Sequence, residues 1–241
     1  MLRAGFPPRL FPDLMSIIAT QLQKIRARIA AAEARAGRAP GSVTLLAVSK
    51  TFPAQDVAAA YAAGQRLFGE NRLQEAMEKM PALPADCAWH LIGPLQRNKV
   101  RKALEQGLAL IEAVDSLKLA ATISRIAGEL DVSAPILLEV NIDGEATKHG
   151  FTPAELRERW ADLTALPHLE IRGLMCIPAP VEEPEAARPA FAALRSLAES
   201  LRAIGPLPLP ILSMGMSHDF EIAIEEGATH VRVGSAIFGR R

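Results

Sequence analysis

From residue 43 almost to its end, the chain alternates short apolar runs with longer segments whose apolar residues recur every three or four positions. The apolar runs lie at 43–48 (VTLLAV), 66–69, 88–92, 108–113, 135–141, 168–174, 209–212 and 229–233. Each has the length of a buried strand, so eight strands are predicted. Helical spacing at 54–63, 72–79, 97–106, 116–130, 153–165, 185–203 and 217–226 fills the intervals. Upstream, Ile18, Leu22, Ile25 and Ile29 predict an amphipathic helix over 16–36, closed by Gly37. Gly64, Gly107, Gly205 and Gly227 each fall between a helix and the next strand, where a left-handed cap suits glycine.

Strands alternating with helices imply a parallel sheet. Eight such units within 241 residues predict a closed (β/α)8 TIM barrel, one domain with an extra N-terminal helix. No GxGxxG follows a strand, which weighs against a dinucleotide-binding sheet. Residues 1–14 carry Arg3, Arg9, Asp13 and three prolines. They predict a disordered extension before a barrel over 15–241, with Met15 as an alternative start, and they lack the apolar core of a signal peptide.

Composition narrows the function. The 27 basic residues equal the 27 acidic ones, so no basic nucleic-acid surface is expected, although a local anion site remains open. The longest strongly apolar, uncharged stretch, 203–217, is broken by Pro206, Pro208 and Pro210 and predicts no membrane span. Cys87 and Cys176 build no disulfide framework, which fits a cytoplasmic protein. Cys87 and His90 have the spacing of half a metal site but no second pair, so no metal is expected.

In such a barrel, chemistry gathers at the C-terminal ends of the strands. Those ends are polar or glycine almost throughout: Ser49-Lys50-Thr51, Gly69-Glu70-Asn71, His90, Asn141, Cys176, Ser213-Met214-Gly215 and Arg232-Val233-Gly234-Ser235. Lys50 has two readings: a partly desolvated, nucleophilic lysine in the mouth, or one that snorkels to the surface. The turns VGSAIF and SMGMSHDF, on the last two strands, together suggest a phosphate cradle. Ser217 alternatively caps the helix that follows. Arg232 either pairs with a carboxylate such as Glu139 or Glu170, or meets a ligand.

The segments LLAVSKTFP, GQRLFGENRLQEA, WHLIGPLQRNKV, VNIDGEATKHGF, RGLMCIP and LSMGMSHDFEIAIEEGATHVRVGSAIFG together resemble the pyridoxal-phosphate homeostasis protein family, over residues 15–239. That family is similar to the N-terminal barrel of alanine racemase standing alone. The resemblance implies pyridoxal 5′-phosphate (PLP) held as a Schiff base on Lys50. It implies phosphate contacts from Ser213, Gly234 and Ser235, with Ser217 nearby, and Arg232 facing the pyridine nitrogen. Asn71 and His90 match positions lining the pocket. Ser235 stands where threonine is commoner and Leu91 where phenylalanine is usual; the serine keeps the hydroxyl.

Arginine donates only and stays charged, so against the pyridine nitrogen it leaves the ring a poor electron sink. Racemases of this type use a tyrosine from a second domain on the opposite face. Here the single tyrosine, Tyr61, falls in the helix after the first strand, and no residues follow Arg241 to supply such a domain. The expectation is therefore a monomer that binds, buffers and delivers PLP, with apo PLP-dependent enzymes as partners and without turnover. The rivals are an amino-acid racemase, with Cys176 as its candidate second base, and a Schiff-base aldolase. Lys148 is a secondary candidate for the aldehyde or a solvated loop lysine, and Arg97, Lys99 and Arg101 form a small basic patch.

Overall fold

The computed structural model describes residues 11–145 and 148–239. All eight predicted strands form: β1 (Thr44–Val48), β2 (Leu67–Glu70), β3 (Ala88–Leu91), β4 (Leu110–Val114), β5 (Ala134–Glu139), β6 (Leu169–Met175), β7 (Ile211–Met216) and β8 (His230–Val233). They pair in parallel in chain order, and β8 closes on β1 with Leu46 opposite Arg232 and Ala47 opposite Val233. The helices are α1 (Phe11–Arg35), α2 (Ala54–Ala62), α3 (Leu73–Lys79), α4 (Val100–Glu105), α5 (Leu117–Glu129), α6 (Pro153–Glu158), α7 (Trp160–Thr164), α8 (Arg188–Ile204), α9 (Phe220–Glu225) and α10 (Ser235–Phe238).

Successive strand residues face opposite ways, so the strands feed two separate apolar layers. Ala47, Phe68, Trp89, Val231 and Val233 point outward and pack under the helices. Inside the barrel, Leu46, Val48 and Ile92 form one cluster, and Leu110, Ala113, Leu137 and Met175 form another. A register shift in β4 lies between Ile111 and Val114, and it brackets the fully buried Glu112.

Several boundaries move. Helix α1 starts at Phe11, so residues 11–14 belong to it and not to an extension; residues 1–10 of that expectation lie outside the described residues. The predicted 153–165 helix is two helices that meet at Arg159. Gly37, Gly64, Gly107 and Gly227 have positive φ as expected, but Gly205 is extended, with φ −145°. Glycine is required there for another reason: a Cβ would come within 2.2 Å of Trp160 Nε1.

Candidate functional site

Lys50 sits one residue beyond the buried Ser49, at the lip of the barrel between β1 and α2. Both of its neighbours are pinned. The Ser49 hydroxyl donates to Glu70 Oε1 (2.6 Å), and Lys79 Nζ donates to that same oxygen and to the Ser49 carbonyl, each at 2.7 Å. On the other side Thr51 has φ +72°, and its N–H donates to Glu75 Oε2 (2.6 Å). Burial pushes the Glu70 carboxyl up, against the opposing pull of Lys79 and Ser49. Lys50 itself is exposed, and among the described residues its side chain makes no hydrogen bond or ion pair. Of the two readings of Lys50, the exposed one is met: β1 ends at Val48, and Lys50 lies beyond it at the surface.

A cavity of about 400 Å³ brings Lys50, Thr51 and Phe52 together with Gly234, Ser235 and Gly239. Gly234 lies against β1: a Cβ on it would stand 3.0 Å from the Val48 carbonyl oxygen. The Gly234 N–H donates to the Ser217 hydroxyl (3.3 Å). That contact uses a lone pair of Ser217 and leaves its proton free to donate. Ser217 is therefore tied to the cavity and does not cap the next helix, which starts at Phe220 behind Asp219.

The two hydroxyls of SMGMS part company. Gly215, at φ +88°, packs so closely on α9 that a Cβ would be 2.5 Å from the Ala223 Cβ, and the β7–β8 register shifts across this stretch. Ser217 emerges at the mouth, whereas Ser213 is fully buried within the barrel. There its hydroxyl donates to Glu112 Oε2 (2.6 Å) and accepts from Arg232 Nη1 (2.7 Å). With its single proton committed, Ser213 has none to offer a phosphate in this arrangement, contrary to the expectation from sequence.

Ser213 belongs to a polar layer that crosses the barrel. Arg232, 4% exposed, also donates through Nη2 to the Cys176 carbonyl (2.7 Å). Glu112 Oε1 meets His90 Nδ1 at 2.6 Å, and the His90 ring stacks on His230 with centroids 6.1 Å apart. Burial opposes the charge of Glu112, but the hydrogen bond and charge of His90, the charge of Arg232 and the Ser213 hydroxyl together hold it below the ordinary carboxylate range. His230 is pushed down to about 4 by burial and by the nearby His90 and Arg232.

Neither Glu139 nor Glu170 bonds Arg232; Glu170 lies outside the barrel, on Ser133 and Arg172. Asn71 lines a different cavity, of about 680 Å³, with Arg72, Lys99 and Lys102, and shares no wall with Lys50. His90 is buried in the polar layer and lines neither cavity. Cys176 is fully buried, its thiol pushed up to about 12 by burial. Tyr61 is held at the periphery by Asp86 (2.8 Å) and lies under the Arg66 guanidinium. Lys148 is paired with Asp143 and Glu145.

Sequence reasoning missed Lys79, Glu112 and His230, and it placed Glu70 at a strand end without finding its partners. Glu112 left a trace, as an acid inside the apolar run LALIEA.

A closed parallel barrel with an unpaired lysine after its first strand and a glycine–serine turn after its last defines a recognisable class. The chain belongs to the alanine racemase N-terminal domain family, which matches residues 20–241, and within it to the pyridoxal phosphate homeostasis proteins. It is 48% identical to the protein of that name from Pseudomonas aeruginosa, covering 94% of this chain and 97% of the relative. It is 44% identical to the one from Aquifex aeolicus, covering 92% and 97% respectively. Among solved structures, PipY of Synechococcus elongatus with PLP bound is 43% identical, with a TM-score of 0.80 over 92% of this chain and all of that one. Alanine racemase from Clostridium difficile shares the fold at 16% identity and a TM-score of 0.72, with 56% of its length covered.

Proposed function

We propose that this protein binds PLP at the barrel mouth, buffers it, and delivers it to apo PLP-dependent enzymes without turning over a substrate of its own. One observation carries the proposal: an amine with no partner, Lys50, shares a cavity with the Gly234-Ser235 turn. Relatives at 42–48% identity bear the name pyridoxal phosphate homeostasis protein, which supports the cofactor and the role. Bound here, PLP supplies an aldehyde carbon and an electron-withdrawing ring.

The donor set fits such a ligand. Lys50 would hold the aldehyde end of such a ligand. Ser235 and the spare proton of Ser217 suit a phosphate beside Gly234. Arg232, a permanently charged donor, would face the pyridine nitrogen and favour its unprotonated form, which would make the ring a weak electron sink. His90 contributes through the buried layer, whereas Asn71 stands in the separate cavity.

The absence of turnover rests on what the mouth offers. Cys176 is sealed and poorly ionised, and Tyr61 is bound elsewhere, so neither supplies a second acid or base. The protein acts as a monomer in the cytoplasm, free of nucleic acid. Its two cysteines are unpaired, and among the described residues no helix is long and apolar enough to cross a membrane.

Borohydride trapping followed by mass spectrometry tests the assignment: PLP mass is expected on Lys50 and to vanish in Lys50→Ala. Loaded protein is expected to reactivate an apo-enzyme. An unmodified Lys50 overturns the site, and amino-acid turnover lost in Lys50→Ala overturns the non-catalytic role.

A further inference from the structure

Inside the barrel, below the mouth, a carboxylate sits where the proposed cofactor role has not yet used it. Glu112 is fully buried on β4, yet its two oxygens reach β3 on one side and β7 across the barrel, to His90 and Ser213, each at 2.6 Å. Ser213 then receives Arg232 Nη1 at 2.7 Å. The direction of this chain is dictated by chemistry. Arginine can only donate, so the Ser213 oxygen must accept from it, and its single proton must go to an acceptor. Ionised Glu112 is that acceptor.

A second constraint concerns charge. A guanidinium as buried as that of Arg232 is strongly disfavoured without a nearby anion. The charged and titratable groups facing this layer are Glu112, His90, His230, Cys176 and, towards the end of β5, Glu139. Of the two carboxylates, Glu112 is the one joined to Arg232 by continuous hydrogen bonds. Arg232 is also two residues before Gly234, so its placement on β8 and that of the glycine–serine turn are mechanically linked.

We propose that Glu112 is a positioning residue for the cofactor site. Through Ser213 it holds and partly neutralises Arg232, and thereby governs how tightly PLP binds and at what pH its bound spectrum changes. This rests on the function proposed above, with Arg232 as partner of the ring nitrogen. Removing the negative charge leaves Arg232 more strongly positive toward the cofactor. A more positive neighbour disfavours a proton at the lysine-linked end of the chromophore, so the pH of the spectral transition falls.

The test measures PLP affinity and the pH dependence of cofactor absorbance for wild type, Glu112→Gln, Glu112→Asp and Ser213→Ala, with thermal unfolding recorded for each. Glu112→Gln is expected to weaken PLP by about tenfold, the scale of one charge-assisted hydrogen bond, and to lower the transition by about one pH unit. Glu112→Asp is expected to restore part of both. Ser213→Ala cuts the link to Arg232 while sparing His90, and is expected to move both readouts the same way. A purely structural role predicts lower thermal stability with unchanged spectra.

Wild-type affinity and an unmoved transition in both Glu112→Gln and Ser213→Ala would overturn the proposal. If Glu112→Gln fails to fold, Ser213→Ala decides alone. Failure of the cofactor assignment itself is distinguishable, since then wild type carries no PLP on Lys50.

Discussion

The ammonium of Lys79 donates to the carbonyl oxygen of Ser49 at 2.7 Å, and so a buried lysine on α3 anchors the backbone immediately before the exposed lysine at the mouth. Its charge is matched by Glu70, whose side chain is wholly inaccessible. Breaking a buried pair from one side strands the other charge, at about 3–5 kcal/mol. Lys79→Met is therefore expected to lose stability on that scale in urea unfolding and to reduce borohydride labelling of Lys50. Adding Glu70→Gln to it is expected to restore much of the stability; equal destabilisation in single and double variants would argue against the pair.

The split between Ser217 and Ser213 predicts different responses to inorganic phosphate. Competition by phosphate against PLP is expected to weaken roughly tenfold or more in Ser217→Ala, which loses a hydroxyl donor to a charged ligand. In Ser213→Ala the inhibition constant of phosphate itself, corrected for any change in PLP affinity, is expected to stay at the wild-type value, because that hydroxyl serves Arg232. The reverse pattern would return Ser213 to the phosphate cradle.

His230 predicts a pH effect with a definite sign. Its native value, about 4, lies below the ordinary 6.5, so between those limits the unfolded chain binds a proton that the native one does not. Stability therefore rises with pH across this window and is lost on acidification through it. In His230→Asn the slope is expected to flatten by up to ~1.4 kcal/mol per pH unit. Urea titrations at pH 4.5, 5.5 and 6.5 measure it, and an unchanged slope would refute the assignment. Glu112, held low, acts further down, where its contribution disappears as the pH falls through its depressed value.

Cys176 is buried and its thiol is held near 12, so it should resist alkylation in the native protein. Iodoacetamide at pH 8 is expected to modify Cys176 only after denaturant is added. Rapid native labelling would reopen its candidacy as a base.

The architecture was legible because its signals are local. Apolar runs of strand length and helical spacings need no tertiary knowledge, and all eight strands fell within a few residues of their predicted positions. Lys50, Gly234 and Ser235 were legible for the same reason: a strand end is visible in the chain, and barrels place strand ends at one mouth. The hydrogen-bonded partners were not legible. Ser213 and Ser217 are four residues apart in one motif, and only the left-handed turn at Gly215 sends one inward and the other to the mouth. Gly205 has the sequence position of a helix cap, whereas in the fold the indole of Trp160 occupies the space a side chain there would need.

By itself, then, the sequence determined an eightfold alternation, the lysine after β1, the glycine–serine turn after β8, and through its motifs the family. Tertiary structure decided which polar residues speak to one another. Glu112 and Ser213 are 101 positions apart, and Lys79 and Ser49 are 30 apart. Closing the barrel brings each pair within hydrogen-bond distance, in a dry interior where an unpartnered charge or hydroxyl is costly. No local periodicity encodes that requirement, because it arises only when the strands meet.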